Sequence, residues 1–172
     1  LKENGGVVQT VAFRSYVNPE KNTANRVALE ALQQTIAAEM GVEIVDQRER
    51  RSMSAADREA YNAAFQPVQE AVDSRRAAEV DAVAPPVDVS DFVDHIDYLV
   101  NLIGIEHVGI SSDFDGGGGV EGWNDASETF NVTLELVRRG YSEEQVGMIW
   151  SGNLLRVLDE VQAVAAEIQA GG

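Results

Sequence analysis

Two aspartates, Asp113 and Asp115, follow an apolar stretch and precede a run of glycines in "HVGISSDFDGGGGVEGWNDAS" (107–127). In parallel α/β folds, functional side chains gather at the C-terminal ends of the strands. A carboxylate there can accept a proton from water or hold an ammonium group. Asp113 is the stronger candidate because it directly ends the predicted strand, and strand alternation keeps the two side chains from sharing one direction. The structural alternative is that both aspartates cap the turn through their own backbone.

The glycine run also invites comparison with known phosphate and calcium loops. "GGGVEG" (117–122) formally matches the dinucleotide-binding pattern, but Asp113 and Asp115 just before it would repel a pyrophosphate. No Lys-Ser or Lys-Thr pair follows the glycines, which excludes a nucleotide-hydrolase phosphate loop. A calcium loop beginning at Asp113 fails on spacing, because its glycine is fourth rather than sixth and Asn124 takes the place of the final glutamate.

The elements that would position these residues can be predicted from apolar periodicity. Runs of apolar and β-branched residues predict strands at 5–13 and 107–113, separated by a helical excursion over 22–83 in which Pro67 should kink or divide a helix. Closing helices are predicted over 126–170. Seven of their apolar residues are predicted to face inward: Phe130, Leu134, Val137, Leu154, Leu158, Val161 and Ile168. Strands that alternate with helices indicate an α/β fold with a parallel sheet.

Several helix ends carry recognisable capping signals. Ser54 with Asp57 predicts a helix start, and "SEEQ" (142–145) has the pattern of a capping box. Gly41 stands where a helix C-cap in the left-handed conformation is expected, and Gly104 is predicted to terminate a later helix. The two predicted strands are nevertheless too few for a complete eight-fold barrel, which takes about 250 residues. The chain therefore resembles part of a barrel or sheet.

Composition narrows the classes of partner. The 172 residues include 29 acidic and 13 basic side chains, for a formal charge of −16, which disfavours binding to nucleic acid. There is no cysteine, so disulfides and thiolate metal sites are excluded. No apolar run approaches the roughly 18 residues of a membrane span. Position 1 is Leu rather than Met, and we expect the natural chain to begin earlier.

The residues around Asp113 resemble a known family. "DHIDYLVNLIGIEHVGISSDFDGGGGVEGWNDASE" and "LELVRRGYSEEQVGMIWSGNLLRVLDEV" are similar to the C-terminal part of the membrane dipeptidase (renal dipeptidase) family of zinc metallopeptidases, particularly its bacterial members. The resemblance is close over roughly 88–162 and looser over "ENGGVVQTVAF" upstream.

The resemblance implies a fold and a chemistry. The chain would be the C-terminal part of a (β/α)8 TIM-like barrel with a helical insertion, and 5–13 and 107–113 would be the last two strands. It also implies two zinc ions that hydrolyse dipeptides with a bridging water. The family aspartate that matches Asp113 handles the substrate amine and proton transfer, whereas the one that matches Asp115 has only a structural role. Tyr16 and Trp123 follow the two strands and are candidate walls of the substrate pocket, with core packing as their alternative.

The family's metal ligands and its carboxylate-binding arginine all precede the matched region, so we predict no metal ligand in this chain. The chain has two histidines. His107 begins the second strand and is predicted to be exposed. His95 and Asp97 spell His-x-Asp, but they lie on a predicted helix where side chains fan out by about 100° per residue, so they do not converge on one metal. His95 is instead predicted to be a satisfied residue at the core boundary.

Two functional hypotheses follow from this ligand count. In the first, the chain supplies Asp113 and the pocket floor of a zinc dipeptidase, and an N-terminal complementing segment supplies the metal ligands. In the second, the chain is a non-catalytic fragment or interaction module that binds a partner through an apolar face. The expected partners are a dipeptide substrate, the complementing segment and, because dimers are common in the family, a second copy of the chain.

Overall fold

The structure is a computed structural model that describes residues 1–171. Within that range the chain forms two strands, β1 (Val8–Val11) and β2 (Val108–Ser111), and helices throughout most of the remainder. The α-helices are α1 (Arg14–Val17), α2 (Pro19–Met40), α3 (Gln47–Ser52), α4 (Ala55–Arg76), α5 (Val89–Ile103), α6 (Thr129–Arg138), α7 (Glu143–Gly147) and α8 (Asn153–Ala170). Single turns of π- or 3₁₀-helix join some of them: Ala77–Asp81, Ile105–His107, Ala126–Glu128 and Met148–Gly152.

The two strands form a parallel pair. Val8 lies opposite Val108, and Val11 lies opposite Ser111. One further hydrogen bond extends the pairing at the C-terminal end, where the Ala12 backbone N–H donates to the Ser111 carbonyl over 2.9 Å. Each strand lies inside a stretch that the sequence predicts to be extended, and parallel pairing across a helical crossover is the α/β arrangement expected from it. The segments that leave the two strands therefore emerge side by side.

One of two separate units contains both strands. It consists of Leu1–Pro19 and the chain from Val87 onward. Its apolar core draws on β2, on α5 to α7 and on the segment after the glycine run, and includes Phe92, Val93, Ile96, Val108, Val120, Trp123, Val132, Leu136 and Ile149. Helix α5 begins with a capping box between Asp88 and Asp91 and ends at Gly104, whose φ of 97° is readily reached by glycine. These local signals fix the length of the helix that packs beside β2.

The second unit, Glu20–Pro86, is helical and has its own small core. Leu32 and Ile36 of α2 and Val68 and Val72 of α4 are buried there. Of the two effects predicted for Pro67, a kink or a division of the helix, division is wrong, because α4 runs without interruption from Ala55 to Arg76. A proline removes one backbone donor and one helical hydrogen bond. In α4 the two buried valines that follow hold the next turns against the core.

The predicted inward faces of α6 and α8 are also wrong. In α6 the buried residues are Val132 and Leu136, whereas Phe130 is 70% exposed. In α8 the apolar residues Leu154, Leu158, Val161 and Ile168 are 46–71% exposed. The reason is geometric, because an 18-residue helix is about 27 Å long and two strands form a sheet only about 5 Å across.

Within residues 1–171, no helix has both the length and the apolar character needed to span a membrane.

Candidate functional site

Asp113 lies two residues beyond β2, at the C-terminal end of the strand pair. Its φ is +56°, and it is the one non-glycine residue with a positive φ in the described chain. Aspartate reaches this left-handed conformation more readily than most residues, but it still costs about 1–2 kcal/mol. The backbone therefore turns sharply at Asp113, and the side chain leaves the alternating pattern of the strand.

The glycine run folds back onto the Asp113 backbone. The Asp113 carbonyl accepts hydrogen bonds from the backbone N–H groups of Gly116 (3.2 Å) and Gly118 (3.0 Å). The Asp113 carboxylate lies directly over Gly116, where a side-chain carbon would overlap it. Glycine at 116 thus provides the space that the carboxylate occupies.

The same loop packs against the end of β1. The Arg14 backbone N–H donates to the Gly118 carbonyl over 3.1 Å. Gly118 is buried, and a side-chain carbon there would lie 3.1 Å from the backbone oxygens of Ala12, Ser112 and Asp113. The glycines therefore let the loop backbone lie close to the C-terminal ends of β1 and β2. The segments that leave the two strands form one surface.

Trp123 lies in the core of this unit, with 3% of its surface exposed. Its ring makes edge-on contacts with Phe114 and Trp150, at centroid distances of 5.4 and 5.9 Å, and a tilted contact with Phe92 at 5.3 Å. The indole N–H donates to the Thr129 hydroxyl over 3.2 Å. As placed here, Trp123 contacts other rings rather than open space, and it supports Phe114, the residue next to the candidate aspartate.

Tyr16 lies on α1 and is 71% exposed. Its ring packs beside Phe13 at a centroid distance of 4.8 Å. It also lines a cavity of about 300 Å³ together with side chains of α5 that include His95 and Tyr98. Asp113 and Trp123 are not among the residues that line this cavity. The structure thus places the three predicted site residues in three different surroundings: the strand end, a flanking cavity and the core.

The described residues of this chain do not fit a zinc site. In the part that the structure describes, no group of three or more His, Cys, Asp or Glu side chains could hold a metal ion. The prediction that His107 is exposed is wrong, because it is half-buried and its Nδ1 lies 2.8 Å from the Gly6 carbonyl oxygen. His95 is partly buried as predicted, but its Nδ1 has no hydrogen-bond partner within residues 1–171, so the prediction of a satisfied ring is wrong for that atom.

An ionic cluster joins α5 to the end of α6. The Arg139 guanidinium pairs with Asp94, Asp97 (2.7 Å) and Glu135 (2.9 Å). Burial acts to lower the pKa of Arg139, but these carboxylates raise it above its usual value. Burial also raises the pKa of Tyr141 above its usual value, aided by the hydrogen bond of 2.6 Å that its hydroxyl donates to Asp97. Both partners of Asp97 therefore keep their protons well into the alkaline range.

The family can now be assigned. The family model "Membrane dipeptidase (Peptidase family M19)" matches residues 1–172. The chain belongs to the membrane dipeptidase family. This confirms the resemblance found in the sequence, and it makes the chain a member of a family of metallopeptidases.

Comparison with individual members of the membrane dipeptidase family shows what share of each relative's length the chain matches. It is 42% identical over 86 residues to Dipeptidase aclJ of Aspergillus oryzae, covering 49% of this chain and 20% of the relative. It is also 42% identical over 79 residues to Dipeptidase 3 of Rattus norvegicus, covering 45% of this chain and 16% of that one. The matched half of the chain thus spans about a fifth or less of the length of these curated relatives.

A solved structure extends the comparison to nearly the whole chain. The crystal structure of the probable dipeptidase PvdM from Pseudomonas aeruginosa matches with a TM-score of 0.57 and 36% identity. The match covers 94% of this chain and 38% of that one. The helical stretch between the strands, where the sequence resemblance is weakest, is therefore largely included in the structural match to a membrane dipeptidase.

Sequence reasoning missed two residues of this membrane dipeptidase segment. Arg14 follows β1 as Asp113 follows β2, and parallel strands end at one edge, which is the signal that could have found it. Asn153 is buried at the start of α8, where its side-chain amide donates to the carbonyls of Ile105 (2.7 Å) and Val108 (2.8 Å). A polar residue opening an apolar helix stripe is only a weak sequence signal, because most asparagines at such positions are exposed caps.

Proposed function

We propose that the complete protein carrying this segment hydrolyses dipeptides and that Asp113 acts directly on the substrate. The observation that supports this is the position of Asp113, which leaves β2 in a left-handed conformation with its carboxylate over Gly116. An aspartate held in the left-handed conformation at the end of a strand stores backbone strain, and residues strained in this way are often found at functional sites. Membership of the membrane dipeptidase family supplies the reaction class.

In this proposal Asp113 has two compatible tasks. A carboxylate can hold the ammonium group of a dipeptide by a charge-assisted hydrogen bond. It can also take a proton from the attacking water and give it to the leaving nitrogen. The peptide C–N bond then breaks with a neutral amine as the leaving group instead of an amide anion. Phe114, the next residue in sequence, packs against Trp123, and Trp123 and Tyr16 on α1 are the proposed walls of the substrate pocket.

We further propose that β1 and β2 are the last two strands of a (β/α)8 barrel, and that an N-terminal complementing segment provides the rest. The two zinc ions of the complete family site would be held by that segment, because the described residues contain no suitable ligand group. A second copy of the chain is a further proposed partner, and nucleic acid is not one, since the formal charge is −16.

The test is the Asp113→Asn substitution in the complete protein. Loss of a proton-transfer carboxylate is expected to lower kcat by at least about 100-fold, while bound zinc stays at the wild-type level. Asp115→Asn serves as the matched control, because Asp115 lies in the same turn and is exposed. Turnover by the Asp113 variant equal to that of the control would reject the role of Asp113, and a wild-type protein inactive on every dipeptide would reject the function.

One observation favours a second candidate function. The exposed apolar face of α8, with Val161 and Ile168 exposed at 60% and 71%, is the kind of surface through which a non-catalytic module binds a partner. This alternative predicts that the face stays exposed in the complete protein as well.

A further inference from the structure

Asp115 and Gly116 form the only Asp-Gly pair in the sequence, and the pair lies in the turn that carries Asp113. Asp115 is exposed, and so are Gly116 and Gly117 after it. Within the described residues the Asp115 carboxylate makes no hydrogen bond or ion pair, so its side chain is free to rotate. An unrestrained carboxylate therefore stands beside a peptide nitrogen whose own residue has no side chain.

An Asp-Gly pair can rearrange with water as the only other reactant. The lone pair of the Gly116 backbone nitrogen attacks Cγ of the protonated Asp115 carboxyl. An N–Cγ bond forms, a C–O bond breaks, and the hydroxyl leaves as water together with the amide proton. Water then opens the five-membered succinimide ring at either carbonyl. Opening at Cγ restores aspartate, whereas opening at the backbone carbonyl gives isoaspartate, in which the main chain runs through the side-chain methylene.

The turn around Asp113 favours this ring closure. The Gly116 N–H is held by one hydrogen bond of 3.2 Å, to the Asp113 carbonyl, and that carbonyl keeps Gly118 as a partner at 3.0 Å when the first bond opens. Glycine at 116 also lets the backbone rotate into conformations that are closed to other residues. Because the Asp113 carboxylate occupies the place of a side chain at 116, the site itself requires glycine after Asp115.

Two other exposed aspartates that precede small residues lack this combination. The Asp125 carboxylate accepts hydrogen bonds from the Ser127 hydroxyl (2.6 Å) and backbone N–H (2.7 Å), which lower the pKa of Asp125 below its usual value. Asp73 lies inside α4, where the helical hydrogen bonds fix the backbone. A held, ionised carboxylate and a fixed backbone both oppose ring closure. Of the three aspartates, only Asp115 has a free carboxylate and a mobile successor.

We propose that Asp115 is a site of spontaneous isomerisation and that isoaspartate at this position disables Asp113. Isoaspartate adds one atom to the main chain between the Asp113 carbonyl and the Gly116 nitrogen, so the hydrogen bond between them cannot close as it does now. The turn that holds the Asp113 carboxylate over Gly116 then opens. The modification goes beyond the proposed function and does not depend on it, whereas its effect on turnover rests on that function.

The experiment incubates the complete protein at neutral pH and physiological temperature for several weeks, beside a synthetic peptide of residues 112–119. Peptide mapping with an isoaspartyl methyltransferase detects isoaspartate, although the mass is unchanged. We expect isoaspartate at position 115 to accumulate on the time scale of the peptide and to exceed that at Asp73 and Asp125 several-fold. No isoaspartate at 115 once the peptide has isomerised, or equal amounts at the three positions, overturns the inference.

Asp115→Glu is the matched variant, because glutamate keeps the charge but would have to close a six-membered ring, which forms far more slowly. The fresh variant should turn over dipeptides like wild type. On incubation, wild type should lose turnover in proportion to its isoaspartate content, and the variant should not. Equal losses in both proteins, or full turnover by isomerised wild type, reject the effect on Asp113. A wild-type protein inactive on every dipeptide rejects the proposed function, and peptide mapping still decides whether Asp115 isomerises.

Discussion

Asp113 combines a backbone cost with a free carboxylate. Its left-handed φ of +56° would be relieved by glycine, yet glycine would remove the acid. Asparagine tolerates the left-handed region about as well as aspartate, so Asp113→Asn removes the charge and leaves the turn. Alanine would confound the two effects by adding strain. Asp113→Asn is therefore the substitution that tests the proposed chemistry.

Tyr141 provides a prediction about pH. Burial and the hydrogen bond to Asp97 raise its pKa above the usual value of about 10, so the unfolded chain ionises first as pH rises. The stabilisation is fully present below pH 10 and is lost as pH climbs toward the folded-state pKa. We expect the free energy of unfolding of wild type to fall more steeply than that of Tyr141→Phe between about pH 9.5 and 11. In this range the tyrosine ionises in the unfolded chain but not in the folded one.

The measurement is urea unfolding at a series of pH values. At pH 7 the phenylalanine variant should be less stable by about 1–2 kcal/mol, because one hydrogen bond to a charged group is lost. Tyr98→Phe is the control, since Tyr98 is 62% exposed. Parallel pH curves for wild type and Tyr141→Phe would show that the Tyr141 hydroxyl is not held as the structure has it.

The buried side-chain amide of Asn153 links the start of α8 to the turn that leads into β2. Asn153 donates to the carbonyls of Ile105 and Val108, which lie on either side of the turn that leads into β2. Asn153→Ala would remove a donor from both carbonyls, although the Ile105 carbonyl would still accept the Val108 backbone N–H. We expect it to lower the free energy of unfolding by about 2–4 kcal/mol, measured by chemical denaturation.

Asn131→Ala is the matched control for that prediction. Asn131 also donates from its side chain to a backbone carbonyl, that of Gly122, over 2.8 Å, but it is exposed. Its loss should cost less than about 1 kcal/mol, because water replaces the donor. If both alanine variants lose the same stability, the burial of Asn153 is not what makes its hydrogen bonds matter.

Local signals predicted the helix ends well, and long-range packing explains where prediction failed. The capping at Ser54 and at Ser142 is confirmed, and so are the ends at Gly41 and Gly104, because each depends on a few neighbouring residues. The inward faces of α6 and α8 depend instead on which element lies opposite. An apolar stripe shows that a face can be buried, and only the tertiary arrangement decides whether it is.

The residues of the candidate site likewise differ in whether the local sequence could predict them. The end of a strand, a carboxylate and a glycine run are adjacent in sequence, so Asp113 could be singled out without a structure. Arg14 is 99 positions away from Asp113, and only the parallel pairing of β1 with β2 brings the two to one loop. The burial of Trp123 among Phe92, Phe114 and Trp150 likewise depends on contacts that no local pattern encodes.

Helix α8 carries an apolar face that the described residues leave exposed. Beyond its first residue it has no buried side chain, although its apolar residues recur on one face. An apolar face exposed to water does not stabilise its helix, and amphipathic helices owe most of their stability to packing against other elements. Because the matched segments span a fifth or less of the curated relatives, the proposed complementing segment is the natural candidate to cover it.

Val161→Lys tests whether that face is covered. Val161 is 60% exposed in this segment, so a lysine should change the stability of the segment alone by less than about 0.5 kcal/mol. In the complete protein, a covered Val161 would force the lysine to bury its charge, and we expect the free energy of unfolding to fall by at least about 2 kcal/mol. Thermal and urea unfolding of both lengths of protein give the comparison.

Ala163→Lys makes the comparison decisive, because two helical positions turn the side chain by about 200° onto the opposite side of α8. Ala163 is exposed and should tolerate lysine in both lengths of protein. A large loss for Val161→Lys and none for Ala163→Lys in the complete protein would place the complementing segment against this face of α8, as the dipeptidase proposal requires. Equal, small effects at the two positions would mean that the apolar face stays open, which is what an interaction module needs and a closed barrel does not allow.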